Sequence, residues 1–195
     1  MTSRIASAML LAAIVLPAAA PARAADKANR PAADPLRLTA IRLSEAPNID
    51  GVLDDPQWLA VARDKRGVLA GWRGLGAKKL PTQQRIGYVA WDANCLYVAM
   101  QAFTPDIFEL KAGRLGTPFV GDCLEVHVVR RDGTWFQFGI DCEGNLGTGK
   151  VPEGITAESI TAASDFGMNF WATELAIPWT LLDVEPGPGQ TVAFN

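Results

Sequence analysis

An alternating stretch in the second half of the chain constrains the fold more than any other feature. Residues 123–130 and 134–141 alternate between apolar and polar side chains, and Arg131-Asp132-Gly133 lies between them. A period of two indicates β-strands, and a short segment containing Asp and Gly indicates the turn that joins them. The stretch therefore predicts an antiparallel β-hairpin.

The length of the turn decides which side chains share a face of this hairpin. A two-residue turn at Asp132-Gly133 would place Leu124 on the same face as Trp135 and Gln137, and neither face would be apolar. A three-residue turn, with Gly133 in the left-handed conformation, gives one wholly apolar face. Its members are Leu124, Val126, Val128, Phe136, Phe138 and Ile140. A slip of one residue would exchange the faces, so we predict the three-residue turn.

The opposite face of the predicted hairpin is polar and contains a tryptophan. In the chosen register it holds Cys123, Glu125, His127, Val129, Trp135, Gln137, Gly139 and Asp141. Such a face offers hydrogen bonds and an aromatic surface, which are the two contacts that a sugar ring needs. The hairpin alone favours an ordinary solvated sheet face over a sugar-binding one.

The N-terminal segment has the features of a secretory signal peptide, predicted over residues 1–24. Arg4 precedes an apolar run at 9–16, and Ala22-Arg23-Ala24 forms a small-x-small cleavage site. Residues 25–35 are polar and contain two prolines, which predicts a disordered leader. We therefore expect export to the periplasm or beyond, with residues 36–195 as one folded domain.

The other apolar segments predict further short strands and little helix. Strands are expected at 36–43, 83–91, 95–103, 170–177 and 191–195, with loops at 68–81, 107–120 and 142–165. A short helix is expected from Pro56 to about Arg63, capped by Asp55, and Asn94 is expected in a left-handed turn. This pattern predicts an all-β antiparallel sandwich, immunoglobulin-like or jelly-roll-like. A last strand that begins at residue 191 suggests that the domain could lack its final strands.

Charge and cysteine content exclude several classes of partner. The formal net charge is −3 without a cluster of Lys and Arg, which argues against nucleic acid. The three cysteines show no C-x-x-C spacing, which argues against a zinc site. In the predicted register Cys123 and Cys142 point to opposite faces and cannot form a disulfide, whereas a pairing of Cys95 stays open.

The polar face lacks a catalytic arrangement. His127 is the only histidine, and Cys123 lies four residues away on the same strand, about 13 Å, which is too far for a nucleophile and its base. Glu125 and Asp141 lie on different strands and are not forced into a glycosidase pair. We therefore expect a protein that is not an enzyme.

Two cofactor alternatives remain open from the sequence. A haem iron could be held by His127 together with Met100 or Met168. A calcium ion could be held by carboxylates, although their spacing is not that of a calcium-binding loop. The carboxylates considered are Asp50, Asp54, Asp55 and Asp122.

Several motifs, in order across residues 40–195, together resemble carbohydrate-binding module family nine and its DOMON-type β-sandwich relatives. They are Ile49-Asp50-Gly51 with Asp54-Asp55 and Trp58, Trp91-Asp92 before Leu96-Tyr97-Val98, Gly121-Asp122-Cys123-Leu124-Glu125-Val126, Gln137-Phe138 with Gly144, Glu174-Leu175-Ala176-Ile177-Pro178-Trp179, and Phe194-Asn195. The resemblance implies a non-catalytic β-sandwich that binds sugars, usually in proteins that help to degrade plant polysaccharide.

The resemblance also implies a binding site on the polar face. Glu125 matches the acidic ligand-binding position, and Phe119 lies where sugar-binding members have one of two tryptophans. Gly139 replaces the expected arginine, and the second tryptophan would lie beyond Asn195. We expect millimolar binding of an oligosaccharide or polysaccharide; an envelope-assembly module without sugar affinity is the alternative. The expected binding residues are Phe119, Glu125, His127, Trp135 and Gln137.

Overall fold

The structure is a computed structural model that describes residues 37–72 and 81–194. The predicted signal peptide and the predicted leader lie outside the described residues, as does most of the loop predicted at 68–81. The strands are numbered in chain order: β1 (Ile41–Arg42), β2 (Val68–Leu69), β3 (Arg85–Trp91), β4 (Cys95–Phe103), β5 (Cys123–Val129), β6 (Trp135–Asp141), β7 (Leu146–Thr148), β8 (Thr161–Phe166), β9 (Phe170–Pro178) and β10 (Ala193–Phe194). The helices are α1 (Pro56–Asp64) and α2 (Trp179–Leu182), and short 3-10 turns occur at Ile107–Glu109, Pro118–Val120 and Ala157–Ser159.

Two sheets enclose the main core. The larger has six strands in the order β1-β3-β4-β9-β8, with β2 also paired to β3, and the smaller has the order β10-β5-β6-β7. All strand pairs are antiparallel except β1 with β3. Apolar side chains from the inner face of each sheet pack together, among them Met100, Leu175 and Phe138. The predicted all-β sandwich is therefore confirmed.

The predicted register of the central hairpin is confirmed. Cys123 pairs with Asp141, Glu125 with Gly139 and Val129 with Trp135, which is the pairing that the three-residue turn requires. Gly133 has φ 83°, in the left-handed region that the turn needs. The six apolar side chains of the inward face are buried, at 7% exposure or less. Cys142 is buried in the core, Cys123 lies on the other face, and Cys95, Cys123 and Cys142 are all free thiols.

Some segments that were expected to be loops form strands. The stretch 142–165 contains β7 and most of β8, and Val68 and Leu69 form β2 at the edge of β3. Conversely, the strand expected at 36–43 is reduced to Ile41–Arg42. Strand β8 has the sequence Thr-Ala-Ala-Ser-Asp-Phe. It could not be predicted, because its small and polar residues show no apolar alternation. Its pairing with β9 is set by tertiary structure.

The expected left-handed conformation of Asn94 was wrong, whereas the expected N-cap position of Asp55 is confirmed. Asn94 is not among the residues with positive φ; the carboxylate of Asp92 holds this turn instead, accepting hydrogen bonds from the backbone N–H groups of Asn94 and Cys95. Asp55 is the N-cap residue of α1, but its side chain makes no capping bond. Its Oδ2 accepts the backbone N–H of Asn48, so it ties down the preceding loop.

A buried carboxylate joins α1 and its preceding loop to the outer face of the larger sheet. Glu174, in β9, is fully buried. One of its oxygens accepts the indole N–H of Trp58 at 2.5 Å, and the other accepts the backbone N–H groups of Gly51 and Asp50 at 2.6 and 3.1 Å. Gly51 has φ 89° and lies against the backbone of Ser164 and Asp165, so a side chain there would clash. This contact gives a physical reason for the Ile-Asp-Gly motif.

Candidate ligand-binding site

The centre of the polar face is a carboxylate held by two neighbours. Glu125 Oε2 accepts a hydrogen bond from the Gln137 amide at 3.0 Å and lies 3.4 Å from His127 Nε2. Both Glu125 and His127 keep 17% of their side chains exposed. The contacts with His127 and then with Gln137 hold the pKa of the Glu125 carboxyl below its usual value, although burial opposes them. Glu125 is therefore an ionised acceptor at neutral pH, and among the described residues its Oε1 has no hydrogen-bond donor.

The tryptophan of the polar face is flanked on both sides. The rings of His127 and Trp135 are stacked, with centroids 5.5 Å apart and planes 18° apart, and the Lys150 ammonium lies 5.0 Å from the Trp135 centroid. His127 comes from β5 and Lys150 follows β7, the two strands on either side of β6. A sugar that stacks on Trp135 would therefore have to displace the flexible Lys150 side chain. Stacking on Trp135 stays a prediction.

Phe119 reaches the polar face because two glycines leave room for it. Gly139 of β6 pairs with Gly147 of β7, and the 3-10 turn at Pro118–Val120 lies over both. The ring of Phe119 covers Gly139, and Pro118 covers Gly147. Because Gly139 is the cross-strand partner of Glu125, the Phe119 ring covers the position opposite Glu125. An arginine at position 139 would need the space that this ring occupies.

Substitution of the two glycines by alanine is expected to have unequal effects. At Gly139 the three atoms nearest to an added methyl group all belong to the Phe119 ring, which can swing away, so we expect a loss of about 1 kcal/mol or less together with displacement of the ring. At Gly147 the methyl group meets Pro118 and the backbone of Gly116, which cannot move alone, and we expect a loss of about 2–3 kcal/mol. Urea denaturation of both variants measures the difference. Equal stabilities would show that the turn does not rest on this glycine pair.

Asp141 belongs to the same face but is not available to a ligand. It is fully buried, and its two oxygens accept four hydrogen bonds, from the N–H groups of Gly113, Glu143 and Asn145 and from the Asn145 side-chain amide, at 2.7 to 3.0 Å. The bond to Gly113 fixes the segment that carries Phe119. Asp141 is therefore a structural partner of the site, and it does not form an exposed carboxylate pair with Glu125.

The other groups considered for chemistry are occupied or separated. Burial, with the nearby carboxylates Glu125 and Asp141, raises the pKa of the Cys123 thiol to about 12, so it is not a thiolate at neutral pH. Met100 is buried between the sheets, whereas His127 lies on the outer face of the smaller sheet, so these two residues cannot hold one haem iron. Met168 is exposed in the turn between β8 and β9, on the other sheet.

Three of the carboxylates that were considered for calcium, those of Asp50, Asp55 and Asp122, accept backbone hydrogen bonds, and Asp54 is exposed. Asp50 accepts the backbone N–H of Val52, and Asp122 accepts that of Lys111. Within residues 37–72 and 81–194, no group of three or more His, Cys, Asp or Glu side chains is arranged to hold a metal ion. In that same part of the chain, no helix has the length and apolar character needed to cross a membrane.

Known structures share this architecture. One is a carbohydrate binding module family 9 from Caldicellulosiruptor kristjanssonii in complex with cellotriose: the TM-score is 0.57 at 16% identity, over 81% of this chain and 74% of that chain. The same kind of module in complex with glucose gives a TM-score of 0.54 at 17% identity, over 80% of this chain and 75% of that chain. The domain has a family-nine-like fold. No family model matches the sequence, and no curated protein matches it either.

Sequence reasoning missed three features of this face of the smaller sheet. They are the Lys150 ammonium on Trp135, the pair of Gly139 with Gly147 under the 118–120 turn, and the anchoring of Gly113 by Asp141. Gly139 carried a usable signal, since a glycine inside a strand often marks a close approach of other atoms. The predicted site residues Phe119, Glu125, His127, Trp135 and Gln137 do lie together on one face of the smaller sheet.

Proposed function

We propose that this chain is an exported, non-catalytic carbohydrate-binding module of family-nine type, active in the breakdown of polysaccharides. Residues 1–24 would direct export to the periplasm or beyond, residues 25–35 would form a leader, and residues 36–195 would be the binding domain. The observation that carries the proposal is the Glu125 carboxylate, which is held by Gln137 and His127 beside the Phe119 ring. A carboxylate next to an aromatic ring provides an acceptor for sugar hydroxyls and a surface for the apolar face of the ring.

The proposed site combines one half-buried aromatic ring, that of Phe119, with one carboxylate, that of Glu125. Aromatic contacts contribute about 0.5–1.5 kcal/mol each and hydrogen bonds to a charged group about 1.5–3 kcal/mol. A few such terms, reduced by the cost of association, correspond to dissociation constants in the millimolar range. Titration monitored by NMR is therefore the suitable assay, with glucose, cellotriose and xylotriose as ligands.

Replacement of Glu125 by alanine is expected to weaken sugar binding at least about tenfold, because hydroxyl donors lose a charged acceptor. Glu125→Gln keeps the shape but removes the charge, so we expect an intermediate affinity. Glu45→Ala is the matched control, since it removes an exposed carboxylate at a loop outside this face. Unchanged affinity in the folded Glu125→Ala variant, or flat titrations of the folded wild type with all three sugars, would contradict the proposal.

A second candidate function is an interaction module without sugar affinity. The observation that favours it is a group of exposed apolar side chains in the segment that carries Phe119: Phe108, Leu115 and Val120 are 92%, 81% and 80% exposed. Apolar side chains gathered in one exposed segment can mark a protein contact. Light scattering as a function of concentration tests self-association through this segment, and a strict monomer that binds sugar at the Glu125 face would exclude this candidate.

A further inference from the structure

The larger sheet carries a groove on its outer face, on the side of the sandwich opposite the Glu125 face. The groove has a volume of about 350 Å³, at the lower end of the range for pockets that hold small molecules. The loop before α1 and α1 itself form one wall, and the β8–β9 turn forms the other. Tyr88 and Gln101 line it from β3 and β4.

The rim of this groove concentrates exposed apolar side chains. Val52, Leu59 and Phe166 line it and are 37%, 46% and 42% exposed, although they come from three separate segments. Phe170, which also lines the groove, packs edge-on against Phe103. Single exposed apolar residues are ordinary on a protein surface, whereas a set that converges on one concave feature indicates a ligand.

The polar groups in the groove decide what kind of ligand it suits. Gln101 is half-buried, and its amide makes no hydrogen bond to another described side chain or backbone group, nor does the Tyr88 hydroxyl; burial also raises the pKa of that phenol. Asp54 and Asp165 add exposed carboxylates at the rim, and none of the described residues that line the groove is a Lys or Arg. The groove therefore offers hydrogen-bond acceptors, an amide and aromatic surfaces without a positive charge. This set matches a neutral polyhydroxylated ring and does not match an anion.

We infer that this groove is a second saccharide-binding site, independent of the Glu125 face, in which a sugar ring stacks on Phe166 and hydrogen-bonds to Gln101. Two sites on opposite faces would let one module contact two chains of a polysaccharide, and the second contact raises the overall affinity through effective concentration. An apolar peptide is the competing occupant. It would use the same rim but would have no need of the Gln101 amide.

The test is NMR titration of the full chain with cellotriose, read at backbone amides. We expect saturable shifts at Gln101, Gly167 and Phe166 in the wild type and equally in the Glu125→Ala variant. Phe166→Ala is expected to weaken the groove site about threefold to tenfold, as the loss of one aromatic stack does, and Gln101→Ala should weaken it as well. Met168→Ala, in the same turn and 95% exposed but outside the lining, is the matched control and should change nothing.

This experiment can refute either site without refuting the other. Shifts confined to the residues around Glu125, at sugar concentrations that saturate that face, would overturn the groove site and leave the proposed function intact. Shifts in the groove alone would sustain the groove site and remove the Glu125 site. Groove shifts with cellotriose whose affinity is unchanged in both Phe166→Ala and Gln101→Ala would contradict the stacking on Phe166 and the hydrogen bond to Gln101 that define the proposed site.

Discussion

Replacement of Asp141 by alanine is expected to destabilise the domain by roughly 3–5 kcal/mol, a drop of about 10 °C in Tm. The carboxylate is fully buried and accepts four hydrogen bonds, three of them from backbone N–H groups. Removing the Asp141 carboxylate leaves several buried N–H donors without a partner. Each unsatisfied donor costs about 1–3 kcal/mol, although these costs are not additive. Thermal and urea denaturation measure the loss.

The Asp141 variant should also affect ligand binding through Phe119. The bond from Gly113 to Asp141 fixes the segment that lays Phe119 on Gly139, so partial release of that segment should weaken sugar binding even at temperatures where the variant is folded. Asp106→Ala is the matched control, since Asp106 lies in the same segment, is exposed and accepts one local hydrogen bond from Phe108. That control should cost about 1 kcal/mol at most. An Asp141→Ala protein as stable as the control would refute the role assigned to this carboxylate.

Replacement of Glu174 by alanine is expected to cost about 3–4 kcal/mol. The indole N–H of Trp58 and the backbone N–H groups of Gly51 and Asp50 would lose their common acceptor inside the protein. Glu174→Gln retains one oxygen but turns an amide N–H₂ group toward at least one donor, so we expect about half that loss. In urea denaturation we expect the free energy of unfolding to decrease from the wild type to Glu174→Gln and further to Glu174→Ala. Any other order would mean that the three donors find other partners.

Glu174 should also make stability depend on pH. Burial raises the pKa of the Glu174 carboxyl in the folded state above its ordinary value. The contribution of this group is therefore fully present below the unfolded pKa and is lost as the pH rises through the folded pKa. Glu174→Gln cannot titrate, so its stability should fall less than that of the wild type as the pH rises above the ordinary glutamate pKa of 4.5. Parallel pH profiles of the two proteins would contradict the raised pKa.

The hairpin at 123–141 could be predicted because its information is local. The alternation of its strands and the glycine in its turn specify one register, and that register alone places Glu125, His127 and Gln137 on one face. Edge strands such as β8 could not be predicted, since their small and polar side chains carry no period and β9 provides their pairing. The turn between β3 and β4 was also not predictable in detail. We expected a left-handed Asn94 to form it, whereas the Asp92 carboxylate holds it through the backbone N–H groups of Asn94 and Cys95.

The chain by itself determined an all-β sandwich, the register of its central hairpin and the grouping of Glu125 with His127 and Gln137, since strand periodicity and turn chemistry depend on neighbours in sequence. Only the tertiary structure decided that Phe119 lies on Gly139, that Lys150 and His127 flank Trp135, and that Glu174 joins Trp58 across 116 residues of sequence. These contacts depend on how distant segments pack, and the burial that stabilises them is a property of the folded chain. The groove beside Phe166 also depends on tertiary structure, because segments that are distant in sequence meet there on the outer face of the larger sheet.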